Sequence, residues 1–237
     1  MIPKILHYCR FGEKKMPRYL KKYLKSWKKF CADYKVMCWN EKTYDITKNE
    51  FVKKAYKDKK RAFVTDYVRL DVINKYGGVY LDTDVELLRS LDDLLQHRSF
   101  FAVQQDGLFV NTGLAFGSEC DNSLLIEMMK VYDSMNLNCV DYPKIACPYI
   151  NTLVLEKYGY KKIKTNQLIE DFDCVVYEPL YFDPLYIKKE NLLCDKTYSI
   201  HHYSATWLTK KTLFKKKIIR LIGEKNIIKI KNKHAKN

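Results

Sequence analysis

The stretch that most limits how this chain can fold is RAFVTDYVRLDVINKYGGVYLDTDVELL, residues 61–88. It has no Pro, and its apolar side chains recur at i, i+3, i+4 over 61–76, a spacing that predicts a helix there. Ala62, Thr65, Asp66, Arg69, Val72, Ile73 and Tyr76 form one stripe, while Val64, Tyr67 and Val68 occupy the opposite side. A helix apolar on several sides is expected to be buried on several sides. Gly77 is a natural residue just past its end, and Gly78 makes a tight link into a strand, VYLDTDV.

That strand carries two carboxylates. Side chains alternate faces along a strand, so Asp82 and Asp84 are expected to point the same way, with Val79 and Leu81 pointing into packing. In α/β sheets the ligand crevice lies beyond the carboxyl ends of strands, which places the pair at that rim. Like charges so close raise each other's pKa unless a cation joins them, and Mg²⁺ or Mn²⁺ suits oxygen ligands. D-x-D by itself is short and common, and fits a solvated strand end as well. Its setting, with YGG before it and DVELLRSLDDLL after it, is a longer pattern. Asp66 and Arg69, at i and i+3 on the helix stripe, fit both an internal helix pair and a pair aimed into a cleft.

The remaining segments alternate. PKILHYC (3–9) and YKVMCW (34–39) read as strands, and 17–30 between them as an amphipathic helix, which suggests a βαβ unit. Further strands are expected at 99–104, 112–117, 174–179 and 198–203, and helices at 46–56, 121–134 and 148–158. The sum is an α/β fold around a central, mostly parallel or mixed sheet flanked by helices. At 237 residues it fits one domain with or without an appendage.

Charge divides the chain. The 30 residues after Trp207 hold eleven Lys and Arg against Glu224 alone, +10 of the net +15, leaving +5 for residues 1–207. The expected organisation is therefore a domain at 1–207 and a basic, amphipathic helical tail at 208–237. Phe214, Ile218, Leu221 and Ile222 of the tail share one helical side, which fits docking on an anionic inner-leaflet membrane and equally a helix packed on the domain. No nucleic-acid-binding motif accompanies the charge, so nucleic acid is not an expected partner. The eight cysteines show no CxxC spacing, the N-terminus lacks the pattern of a secretory leader, and no apolar run is long enough to span a bilayer. A cytoplasmic protein, peripheral on the inner face of the membrane through its tail, is the expectation. GxGxxG and GxxxxGK are absent, which leaves dinucleotide and P-loop readings without support.

The block RAFVTDYVRLDVINKYGGVYLDTDVELLRSLDDLL closely resembles glycosyltransferases of family 32, the DXD sugar-binding enzymes akin to capsular polysaccharide transferases and the initiating mannosyltransferase of yeast. IPKILHYCRFG near the start and SIHHYSATW near the end resemble the first strand and the C-terminal His–Trp motif of that family, so the likeness spans residues 2–207 in order. It departs at Arg10, where such first strands often carry Trp.

The resemblance implies a GT-A fold and retaining transfer from a nucleotide-sugar donor to a glycan or lipid-linked acceptor. Asp82 and Asp84 would then hold Mn²⁺ or Mg²⁺ on the donor diphosphate, with His202, in preference to His201, as a further ligand. Asp66, with Asp84 the implied catalytic carboxylates, would hold the donor sugar together with Arg69. His7, Tyr8 and Arg10 would lie near the nucleotide, Asn111 near the sugar or acceptor, and Trp207 over the diphosphate. Two other readings share parts of this pattern. A metal-dependent phosphohydrolase of nucleotides or sugar phosphates uses the same carboxylate–metal logic but needs an activated water. A non-enzymatic polybasic membrane- or nucleic-acid-binding module accounts for the tail and leaves the four charged residues of the central block without a role.

Overall fold

The computed structural model describes residues 1–12, 16–136, 138, 145–186 and 190–204. Met1–His202 form one compact unit and Tyr203–Asn237 a second. Trp207, the expected boundary after it and the basic tail all lie outside the described residues.

A seven-stranded mixed sheet organises the first unit. Its strands are β1 (Ile5–Cys9), β2 (Lys35–Trp39), β3 (Gly78–Tyr80), β5 (Ser99–Ala102), β6 (Phe116–Ser118), β7 (Gln167–Ile169) and β8 (Cys174–Tyr177), in the order β2-β1-β3-β6-β5-β8-β7. β1 runs parallel to both β2 and β3, β5 is parallel to β8, and the other pairs are antiparallel. A two-stranded ribbon stands apart, β4 (Val85–Leu87) antiparallel to β9 (Ser199–His201). The helices are α1 (Arg18–Phe30), α2 (Glu50–Lys57), α3 (Arg61–Tyr76), α4 (Ser123–Asp133), α5 (Cys147–Glu156) and α6 (Pro179–Phe182). The expected α/β architecture is what forms, with α6 and the edge strand β7 added.

Local signals set most boundaries. Asn49 and Asn122 cap α2 and α4, their side-chain oxygens accepting from the N–H groups of Val52 and Leu124. α3 spans the predicted residues and ends at Gly77, whose φ is +61° and whose N–H bonds the Ile73 carbonyl at 2.8 Å. At Gly78, φ is +107° and a Cβ would come within 2.6 Å of the Ile5 carbonyl oxygen, so only glycine lets β3 lie this close to β1. α3 is buried through Val64, Val68, Leu70, Val72 and Ile73, in one apolar cluster with residues of α2, α4 and α5. α1 packs on β4 through Trp27, whose Nε1–H donates to the Val85 carbonyl at 2.9 Å.

One expected strand is broken in two. VYLDTDV does not run on as a single strand: the sheet ends at Tyr80, residues 81–84 turn, and β4 belongs to the separate ribbon. The cause lies in the partner. Tyr80 pairs with Phe116 at the end of β6, and residues 111–114 curl away there, with the Leu114 N–H bonded to the Asn111 carbonyl at 3.1 Å. Leu81 keeps its bond to β1, N–H to the His7 carbonyl at 3.0 Å, but has no antiparallel partner, and the Val85 N–H closes a turn on the Asp82 carbonyl at 3.0 Å.

Candidate active site

The turn after β3 gathers the charges. Asp82 and Asp84 converge because the backbone turns, rather than by strand alternation. β9 brings a third group: Val85 is paired with His201, and the His201 Nε2 lies 3.2 Å from Asp84 Oδ1 and 3.9 Å from Asp82 Oδ2. Asp82, Asp84 and His201 each offer one ligand atom, all within 4.8 Å of one another. Burial lowers the affinity of His201 for a proton, but the Asp84 and Asp82 carboxylates outweigh it and hold the imidazole pKa above its usual value. Two hard oxygens and a nitrogen at this spacing fit a divalent cation, which would take the place of that proton.

The helix pair reaches the same place. Asp66 and Arg69 are 6% and 4% exposed, so neither is a solvated surface charge. Arg69 Nη2 lies 3.1 Å from Asp66 Oδ1 and 3.5 Å from Asp82 Oδ1, its Nε–H donates to the Thr65 carbonyl at 3.2 Å, and its guanidinium covers the Tyr80 ring at 4.8 Å. The two alternatives for this pair are therefore both present: it is an internal helix pair, and it also faces the D-x-D turn. Burial pushes the Asp66 carboxyl up to about 6, against the pull of Arg69 and with the push of Asp82. Burial likewise raises Asp82, opposed by Arg69, while the Tyr80 hydroxyl donates to Asp82 Oδ1 at 2.8 Å.

The segment 110–113 and α5 close the far side. Asn111 Oδ1 accepts the Gly113 N–H at 2.8 Å, and its Nδ2 donates to Gln104 Oε1 at 3.0 Å. A Cβ on Gly113 would fall 2.9 Å from Asp82 Oδ2, 3.0 Å from Arg69 Nη1 and 3.0 Å from Asn111 Oδ1. Glycine is thus what lets Asp82, Arg69 and Asn111, three of the expected residues, close on the backbone here. α5 holds the segment in place, with the Val110 N–H on Thr152 Oγ1 at 2.8 Å and Asn151 Nδ2 on Thr112 Oγ1 at 3.0 Å. Its first residue, Cys147, donates its N–H to Asp66 Oδ2 at 3.4 Å, with Sγ 3.8 Å from Arg69 Nη1 and 3.7 Å from Asn111 Oδ1. Cys147 is a contact that sequence reading missed. The Pro148 beside it, marking a helix start, is the signal that was there to find.

Other expected residues stand elsewhere. His202 turns to the opposite side of β9 from the carboxylates. Its Nε2 shares a hydrogen bond with Glu86 Oε2 at 2.8 Å and its ring stacks on Tyr23 at 4.2 Å, so the histidine beside the two carboxylates is His201. His7 has no exposed surface. Its Nδ1 accepts from Trp39 Nε1 at 3.0 Å and its Nε2 bonds the Gly77 carbonyl at 2.9 Å, which leaves no ring nitrogen for a nucleotide. β1 is a central strand, so this histidine is packed between neighbours rather than presented at the rim. Tyr8, on the other face of β1, is half-buried against the edge of Trp27. Arg10 lies just past the end of β1, the same end of the sheet as the D-x-D turn, and is half-buried.

Residues 17–101 match the family model described as a glycosyltransferase sugar-binding region containing a DXD motif. Solved structures similar to this chain include a PaToxG glycosyltransferase, at 15% identity over 66% of this chain and 69% of that one with a TM-score of 0.51. Another is a glycosyltransferase involved in the glycosylation of the major capsid of PBCV-1, at 12% identity over 86% and 95% with a TM-score of 0.47. The family model covers the D-x-D turn, and the mixed sheet with its flanking helices is a GT-A-type fold. No curated protein matches the chain. No helix among the described residues is long and apolar enough to cross a membrane.

Proposed function

We propose that this chain is a metal-dependent, retaining glycosyltransferase of the family 32 kind, which moves a sugar from a nucleotide-diphosphate donor to a glycan acceptor. The observation that carries the reading is the meeting of Asp82, Asp84 and His201 within 4.8 Å beside the buried Asp66–Arg69 pair. The three ligands would hold Mn²⁺ or Mg²⁺, and the imidazole among them favours Mn²⁺. Such an ion, when bound, supplies Lewis-acid stabilisation of the charge left on the departing diphosphate.

The chain's own residues supply orientation and charge. Asp66 accepts, and Arg69 donates, hydrogen bonds to sugar hydroxyls. The Asp66 carboxylate also stabilises positive charge developing on the sugar ring. Asn111 lies near the sugar or acceptor, and Arg10, past the end of β1, lies near the nucleotide. The low exposure of Asp66 and Arg69 keeps water from screening these contacts. The acceptor is a growing capsular or surface glycan, or a lipid-linked oligosaccharide at the inner leaflet. Free thiols at all seven described cysteines support a reducing, cytoplasmic setting.

The test is incubation of the full chain with a panel of nucleotide sugars and Mn²⁺, with product analysis by NMR. The reading expects release of nucleoside diphosphate for one donor, with the anomeric configuration kept. Inorganic phosphate as the product would replace it with the phosphohydrolase reading, and inversion would remove the retaining assignment.

A further inference from the structure

The cations of α1 lie on one side of the helix. At 100° per residue, Arg18, Lys21, Lys22, Lys25, Lys28 and Lys29 fall within an arc of about 120°, across the helix from the buried Leu20 and Trp27. All six are exposed, and the helix contains no Asp or Glu. Among the described residues, the ion pair found for this set is Lys22 with Glu86 at 4.0 Å.

This pattern works against the helix itself. Like charges face one another at i, i+3 and i, i+4 in 18/21, 18/22, 21/25, 22/25, 25/28 and 25/29, and each such pair repels. Arg18 also sits in the first turn, at the positive end of the helix dipole, where an acid is favoured. α2 shows the usual solution on this same protein, with Glu50 in its first turn paired to Lys53 at 3.2 Å. The strain of α1 is relieved opposite a plane of negative charge. A convex ridge of six cations fits such a plane, whereas a small anion takes a concave site. Tyr19, 49% exposed, stands on the flank of the arc, and the opposite side of α1 packs through Trp27 on Val85, directly after the D-x-D turn. Aromatic side chains with one polar end suit the headgroup level of a bilayer.

We propose that this face of α1 docks the enzyme on a membrane bearing anionic phospholipid headgroups. The surface belongs to the folded unit and is distinct from the basic tail. It is independent of which donor and acceptor the site uses.

Vesicle co-sedimentation of the full chain, at low salt and without donor or acceptor, tests it. One full-chain variant carries Lys21→Gln, Lys25→Gln, Lys28→Gln and Lys29→Gln. A second carries Lys48→Gln, Lys57→Gln, Lys59→Gln and Lys161→Gln, the same change of net charge at exposed lysines elsewhere. On vesicles of phosphatidylcholine mixed with phosphatidylserine, the α1 variant should lose at least about tenfold in partition, and the second variant should lose much less. Equal melting temperatures establish that both are folded. Equal losses in the two variants, unchanged partition of the α1 variant, or no partition by the wild-type chain would each overturn the proposal. So would loss of binding to soluble polyphosphate with vesicle partition kept, which would make a polyanionic polymer the partner. Donor cleavage by the α1 variant in solution, measured alongside, separates failure of docking from failure of the transferase reading.

Discussion

His201 Nε2 sits 3.2 Å from Asp84 Oδ1, brought there by the pairing of β9 with β4 directly after the D-x-D turn. The next residue, His202, lies just past the end of β9 and meets Glu86 and Tyr23 instead. Two adjacent histidines thus have different partners, and they separate cleanly by mutation.

His201→Ala should weaken Mn²⁺ binding by tenfold or more, on the order of what loss of a ligand or its support costs a metal site. His202→Ala should leave it within about threefold. Calorimetric titration of Mn²⁺ into each variant checks this, and the reverse ranking would return the ligand role to His202.

Arg69 neutralises the buried carboxylate of Asp66 at 3.1 Å and faces the half-buried Asp82 at 3.5 Å. Removing one partner of a buried ion pair strands the other, at a cost of about 3–5 kcal/mol. Arg69→Ala should therefore lose stability on that scale in urea unfolding, and Asp66→Asn combined with Arg69→Met should recover part of it. A loss below about 1 kcal/mol would mean that water reaches the pair, as for an exposed ion pair.

His7 predicts a pH dependence of stability. Burial pushes its imidazole down to about 4, against the raising effect of the Gly77 carbonyl, from 6.5 when unfolded. Below pH 6.5 the unfolded chain therefore binds more protons at this site than the folded one. Stability from the neutral, buried ring is complete above 6.5 and is lost as pH falls toward 4, by up to roughly 3 kcal/mol. Urea unfolding between pH 4 and 7 should show a shallower slope for His7→Gln than for wild type, and identical slopes would contradict the account.

Much of the fold was legible because its signals are local. α3 carries its own period and stops at its own glycines, and the parallel β1–α1–β2 unit follows from short spacing. The D-x-D turn was not legible. Val79, Tyr80, Leu81, Val85 and Leu87 all favour strands, no Gly or Pro marks a break, and the strand ends because β6 curls away from it. Which histidine meets the carboxylates depends on the register of β9 against β4, a non-local pairing in which one step exchanges faces. The burial of His7 depends on its strand being central, which spacing alone does not reveal. Asp66 and Arg69 were visible as an anomaly on an apolar stripe, and their meeting with Asp82 needed the fold.

The central claim is that Asp82, Asp84 and His201 hold a divalent ion that in turn holds the donor diphosphate. Its most direct test is Mn²⁺ titration followed by electron paramagnetic resonance, with and without a nucleoside diphosphate, on wild type and on Asp84→Asn. Asp84 is buried beside His201, so a melting curve first establishes that this near-isosteric variant is folded. The account predicts that wild type binds Mn²⁺ more tightly when the diphosphate is present, and that folded Asp84→Asn loses both the binding and the enhancement. Unchanged Mn²⁺ affinity and unchanged enhancement in the folded variant would contradict it.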